Sequence, residues 1–139
     1  MKKSIRQRAA ALVEFALAWP IALLIVFATV QSAVWAAEVY AARAATLAGA
    51  RAGSVAGGSS ATAAQVARQA LASSLIGTTA TVWCPGSAVI RPPVWVCAID
   101  RGSSIDVEVG GVAPAIVPFM PGGGLTLHAH VVLQKDVFA

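Results

Sequence analysis

Ala9–Val30, AAALVEFALAWPIALLIVFATV, decides the architecture: an unbroken apolar run holding one carboxylate, Glu14, and one proline, Pro20, behind the basic head Lys2, Lys3, Arg6 and Arg8. As a helix at about 1.5 Å per residue it is roughly 33 Å long, enough to cross a hydrocarbon core of about 30 Å. The basic head satisfies the positive-inside rule, which keeps the N-terminus in the cytoplasm and sends the chain beyond the apolar run outward. A cleaved secretory signal competes with this reading, because Val34-Trp35-Ala36 offers small-residue cleavage chemistry. Against it, the run exceeds the roughly 7–15 apolar residues of such signals and carries Glu14 and Pro20. A carboxylate inside a membrane helix costs roughly 2.5–3.5 kcal/mol on insertion scales, so Glu14 implies a partner and a task. That partner is expected on another copy of the chain.

Composition points the same way. Of the 139 residues, 58% are hydrophobic and 12% charged, with a mean hydropathy of +0.74, whereas soluble domains average about 25% charged. One membrane span accounts for the excess and leaves roughly the last 85 residues to build one small core. The net charge of +4 lies wholly in the basic head. Beyond it, Arg43, Arg51, Arg68, Arg91, Arg101 and Lys135 balance Glu14, Glu38, Asp100, Asp106, Glu108 and Asp136. No basic face is left for phosphates, so nucleic acid is not an expected partner.

Helical character continues past the membrane, since Ala33–Ala52 is rich in Ala with Leu, Arg and Glu and lacks proline. One helix from about Ser4 to Gly53 would be roughly 75 Å long, with a bend or local melting at Pro20, which lacks an N–H and clashes with the carbonyl of Ala16. Gly49, Gly53 and Gly57 recur every fourth residue and would let a neighbouring backbone approach closely. Each glycine costs a helix about 1 kcal/mol, however, and Gly57-Gly58-Ser59-Ser60 comes next, so the expectation is a helix fraying into a linker. Thr62-Ala63-Ala64-Gln65 has capping-box spacing, and Ala63, Val66, Ala67, Ala70, Leu71 and Leu75 fall at helical intervals, giving a second amphipathic helix that ends at Gly77.

The period then changes to two. Thr79–Cys84, Val94–Asp100, Ile105–Val109 and Leu125–Leu133 are the expected strands; Ile105, Val107 and Val109 alternate with Asp106 and Glu108, and Leu125, Leu127, Ala129, Val131 and Leu133 with Thr126, His128 and His130. Connections too short for crossover helices imply an antiparallel sheet of three to four strands with helix on one face, an α+β class. The expected division is a basic leader over 1–9, a transmembrane and projecting helix over 10–56, and an extracytoplasmic head over 60–139.

Cys84 and Cys97 are the only cysteines, each near a tryptophan, and enclose Pro85, Pro92 and Pro93. Outside the cytoplasm they are expected to form a structural disulfide contributing about 3 kcal/mol in the chain-entropy model; a redox pair would need CxxC spacing and a metal site more ligands. His128 and His130 share a strand face but are too few for a metal site and read as solvated or partner-facing. Asp106 and Glu108 read as solvated surface. Gly110–Gly124 reads as an apolar loop whose Ile116, Val117, Phe119 and Met120 fold back on the core or meet a neighbouring subunit. Nucleophile, base and orienting acid do not come together, so no enzyme, cofactor, metal or small-molecule substrate is expected.

Arg6-Gln7-Arg8-Ala9-Ala10-Ala11-Leu12-Val13-Glu14-Phe15-Ala16-Leu17-Ala18-Trp19-Pro20, followed by the apolar run and Gly49-Ala50-Arg51, resembles the N-terminal signature of TadE-like pseudopilins. The resemblance covers about the first 55 residues, with a similar Pro/Gly-rich loop and Leu125-Thr126-Leu127 near the C-terminus. It implies a minor pilin of the Flp/Tad tight-adherence pilus, a type IV pilus relative acting in assembly and surface adhesion. Its implied partners are a membrane prepilin peptidase, other pilins, the Tad assembly platform and the membrane. Carried onto this chain, cleavage falls between Ala9 and Ala10 and makes Glu14 the fifth mature residue; the departure is Ala9, where the family has Gly. Two other classes fit the residues: an unprocessed, single-pass membrane-anchored extracellular binding module, and a secreted protein released after Ala36.

Overall fold

The computed structural model describes residues 2–114 and 124–135, and the side chains of 12–114 and 124–135. Helix α1 (Lys2–Ser54) is one continuous helix of 53 residues. It runs through Pro20 without local melting, although the proline has no N–H to donate to the Ala16 carbonyl. Its two halves face different surroundings. Leu12, Phe15, Leu17, Trp19, Ile21, Leu24 and Phe27 are all more than half exposed, an array of apolar side chains that water would not tolerate on a monomer. This helix is long and apolar enough to cross a membrane. From Glu38 onward, by contrast, Ala42, Ala45, Thr46, Gly49, Ala50 and Gly53 are buried, the three-and-four spacing of a helix with one face against a core.

Helix α2 (Ser60–Ala72) packs on that face through Ala63, Ala64, Ala67 and Leu71. The contact is close: a Cβ on Gly49 would lie 2.6 Å from the Ala63 carbonyl oxygen and 2.8 Å from the Ala67 Cβ, and one on Gly53 would lie 2.8 Å from the Ala63 Cβ. The expectation of a frayed helix is therefore corrected. Gly49 and Gly53 lie inside the helix and let α2 approach, while Gly57, at φ +80°, belongs to the turn between the helices. The cap is also corrected, by three residues. Ser59 is extended, at φ −135° and ψ 164°, and its side chain accepts from the Thr62 N–H at 3.1 Å, so Thr62 sits in the first turn rather than at the cap.

The sheet consists of β1 (Ala80–Val82), β2 (Val94–Asp100), β3 (Ser104–Pro114) and β4 (Gly124–Gln134), side by side in that order. Strands β2, β3 and β4 are antiparallel, in register at Val96↔Val109 and Val107↔Val131. The purely antiparallel expectation fails at the edge, where β1 runs parallel to β2 with Ala80 opposite Val94. A parallel neighbour needs a crossover of about a dozen residues, and the stretch from Trp83 to Pro93 supplies one without a helix. The class remains α+β. Strands β3 and β4 extend further than their alternation indicates, taking Gly110–Pro114 and Gly124 into the ladder; Ile116, Val117, Phe119 and Met120 lie outside the described residues.

Period two puts Val94, Val96, Ile105, Val107, Val109, Leu127 and Ala129 on the helix-facing side, in one core with Ala42, Ala45, Ala63, Ala67 and Leu71. Each fully buried large aliphatic there contributes about 1.5–3 kcal/mol. The alternate residues line the outer face.

Candidate functional sites on the apolar helix and the outer sheet face

Glu14 lies on the exposed apolar half of α1. Beside it, Phe15 and Trp19, one turn apart, stack with ring centroids 5.8 Å apart. No described residue forms an ion pair with Glu14. Ala9 and Ala10 lie on the described backbone of the same helix.

A second acid on α1 was legible only as part of the charge balance. Glu38 is 4% exposed and accepts a hydrogen bond from the Ile76 N–H. Burial pushes its carboxyl above the ordinary value, against the smaller opposing effect of that bond. It ties α1 to the segment joining α2 and β1.

Cys84 and Cys97 form a disulfide with Cα atoms 4.8 Å apart, joining the chain after β1 to the middle of β2. Beside it the Trp83 and Trp95 rings meet edge-on at 5.5 Å, and Trp83 Nε1 donates to the Val89 carbonyl at 3.0 Å.

The outer face joins the charged residues of two strands. Glu108 stands opposite His130 and Gly110 opposite His128, and the contacts run diagonally, His130 Nε2 to Asp106 Oδ1 at 2.5 Å and His128 Nδ1 to Glu108 Oε1 at 3.6 Å. Arg101 donates to Asp106 Oδ2 from Nη2 at 2.9 Å and from Nε at 3.2 Å. The Asp106 side chain is only 12% exposed, which corrects its reading as a solvated carboxylate. Burial pushes this carboxyl up, but the hydrogen bonds from Arg101 and His130 and their charges outweigh it and hold the group below the ordinary value. Glu108, 34% exposed, keeps more of its solvent. Among the described residues, no three His, Cys, Asp or Glu side chains gather where a metal ion would sit.

A cavity of about 540 Å³ opens on the same face, between Arg91, Trp95, Glu108, Gly110, Thr126 and His128. Trp95 is 4% exposed, and its indole N–H has no hydrogen-bond partner among the described residues. The Arg91 guanidinium lies 5.6 Å above its ring centroid. Glycine is required at the facing position, since a Cβ on Gly110 would come 2.5 Å from Trp95 Cζ2. Nothing in the residue order alone announces this cavity. Its walls come from three strands and a loop, and only the register brings them together. Comparison with protein families, with curated proteins and with solved structures finds no match to this chain.

Proposed function

We propose that this protein is a non-enzymatic, membrane-held minor pilin of TadE-like type, cut by a prepilin peptidase between Ala9 and Ala10 and acting in pilus assembly and surface adhesion with other pilins and the Tad assembly platform. The N-terminus is cytoplasmic and the disulfide-bridged head extracytoplasmic. The observation that carries the reading is the division of labour within α1. One uninterrupted helix presents an exposed apolar segment with a single carboxylate, then enters the core of the head. Force or packing applied to the first half is thus transmitted directly to the second.

Physical chemistry links the cut to Glu14. Cleavage exposes an α-amine at Ala10, and an amine about 4 Å from a neighbour's carboxylate gains roughly 4 kcal/mol at an effective dielectric of 20, which offsets much of the cost of placing Glu14 in lipid. An uncut chain has no such amine, and its basic head holds the helix end at the cytoplasmic surface. Glu14→Ala should therefore insert into membranes as the wild type does and fail to enter fibres, as read by carbonate extraction and by sheared-fibre immunoblotting. Fibres incorporating the variant normally would refute the pairing.

A further inference from the structure

The two edge strands of the sheet, β1 and β4, run in the same direction as α1, and that restricts what can join them. Trp35 Nε1 donates to the Thr126 carbonyl at 3.3 Å near one end of β4. At the other end a Cβ on Gly53 would lie 3.1 Å from Ile105 Cγ2, and Ile105 stands opposite Leu133. Helix α1 and β4 are therefore parallel. Strand β1 shares their direction, because it is parallel to β2, and β2 and β4 are both antiparallel to β3.

Alternate residues of an edge strand turn their N–H and C=O groups away from the sheet. On β4 the Thr126 carbonyl that reaches Trp35 marks this outward set, which continues with His128, His130 and Val132. On β1 the following Trp83 N–H donates to the Val96 carbonyl, so Thr81 bonds toward β2 and Ala80 and Val82 point outward. No described residue bonds to the outward groups of Ala80, Val82, His128, His130 or Val132. Sheets commonly guard such an edge with lysine or proline. Leu125–Leu133 contains neither, nor any Asp, Glu or Arg.

The two edges fit each other only in parallel. Ala80 and Val82 stand level with Val94 and Val96 on the helix-facing side, whereas His128, His130 and Val132 lie on the outer face. In a parallel ladder a bonding residue sits beside a neighbour that bonds the other way, between two that bond to it. Ala80 and Val82 would thus stand beside helix-facing residues of β4, and both faces would continue unbroken. An antiparallel junction of these edges would set a helix-facing residue beside an outer-face one. The helices agree with the parallel joint. Helix α1 lies over β3 and β4 and α2 over β1 and β2, so at about 4.8 Å per strand a neighbour's α2 would lie about 9.6 Å from α1, within the usual range for packed helices.

The free groups also select the register. Within one head the ladder sets Ala80 level with Leu127, and the same level between heads would call on the Thr126 carbonyl that Trp35 already holds. A step of two residues avoids it. The neighbour's Ala80 N–H then donates to the His128 carbonyl and its carbonyl accepts from the His130 N–H, while Val82 does the same with the His130 carbonyl and the Val132 N–H. This register places Val82, 42% exposed, beside the half-buried Val131.

We propose that β1 of a second copy of this chain adds in parallel to β4, joining heads into an open row in which every α1 points the same way. The proposal rests on the pilin reading above, which requires parallel shafts. Two-fold pairing of like edges with continuous faces is antiparallel and would point the two α1 helices in opposite directions; the head-to-tail contact keeps them aligned and does not close on itself. Each step advances the head about 6.6 Å along the shaft, a rise suited to a fibre leaving a membrane. Val89 and Ile90, the latter 92% exposed, stand beside Thr81 and Trp83 on the outer side of β1 and would be carried toward the neighbour's exposed Val132.

The test uses full-length chains in detergent micelles. Oxidation of a mixture of Val82→Cys and Val131→Cys chains should give a disulfide-linked dimer, and neither variant should do so alone; neighbouring Cα atoms on adjacent strands, about 4.8 Å apart, lie within the span of a disulfide. Mass spectrometry of the joined peptides separates this product from exchange with the Cys84–Cys97 bridge. Adding Val132→Pro to the Val131→Cys chain removes an outward N–H and no β3–β4 bond, and should lower the yield about tenfold in a chain whose circular dichroism is unchanged. A dimer of Val131→Cys alone, which reports β4 on β4, overturns the proposal. So does a mixture that stays monomeric, or a yield that a folded Val132→Pro chain leaves unchanged. Sheared fibres separate this contact from the pilin reading: fibres that hold both variants without the Val82–Val131 link overturn the contact, whereas a mixed dimer in micelles from a chain that never enters fibres supports the contact and removes the pilin reading.

Discussion

Gly49 sets the separation of the two helices, and its replacement isolates sterics from propensity. Alanine is the better helix former by about 1 kcal/mol, yet its Cβ would meet the Ala63 carbonyl oxygen, a backbone atom that cannot rotate away. Gly49→Ala should thus lower stability by about 1–3 kcal/mol, the usual range for overpacking, in urea unfolding of the detergent-solubilised chain. Two acids make opposite predictions with pH. The folded-state pKa of Asp106 is depressed, so its contribution is present above the ordinary carboxylate range and is lost as pH falls through the depressed value. Asp106→Asn should be less stable at pH 7 and lose less stability on acidification. Glu38 is raised, so the folded state gains stability relative to neutral pH as pH falls through that raised value toward the ordinary one. Glu38→Gln keeps an acceptor for the Ile76 N–H, and its thermal midpoint should lie above wild type at pH 7 and converge with it near pH 4, the ordinary carboxylate range.

At the scale of elements, legibility followed periodicity. Helix α1 and strands β3 and β4 carry long regular patterns, and each lies where its apolar spacing indicates, although β3 runs on to Pro114 through glycines and a proline that carry no alternation. Strand β1 has three residues, too few to show a period, and nothing local distinguishes a parallel edge from a hairpin. The α2 cap was misplaced because Ser59 and Thr62 both offer a side-chain oxygen; the choice is made by Gly57, whose left-handed turn delivers an extended Ser59. The pairing of Asp106 is invisible in the alternation of β3 alone, because its partners Arg101 and His130 come from the β2–β3 turn and from β4. The crossover before β2 is the element most dependent on a covalent tie. Replacing Cys84 and Cys97 together by serine should cost about 3 kcal/mol in urea unfolding, with the loss appearing first as hydrogen exchange at β1, a short edge strand.

As a whole, the molecule is a shaft with an exposed apolar surface at one end, long enough to cross a membrane, and built into a small α+β core at the other. The exposed apolar half of α1 and the disulfide could be read from residue order; the outer-face cavity could not, because Arg91, Trp95, Glu108 and His128 meet only through the sheet register. Central to the proposed function is a basic leader that must be removed before Glu14 can meet a neighbour's new amine. The N-terminal residue of the protein in sheared fibres and in membranes tests this most directly. Fibre-borne chains should begin at Ala10; fibres made of chains that still begin at Met1, or a soluble chain beginning at Ala37 with none in the membrane, would contradict it.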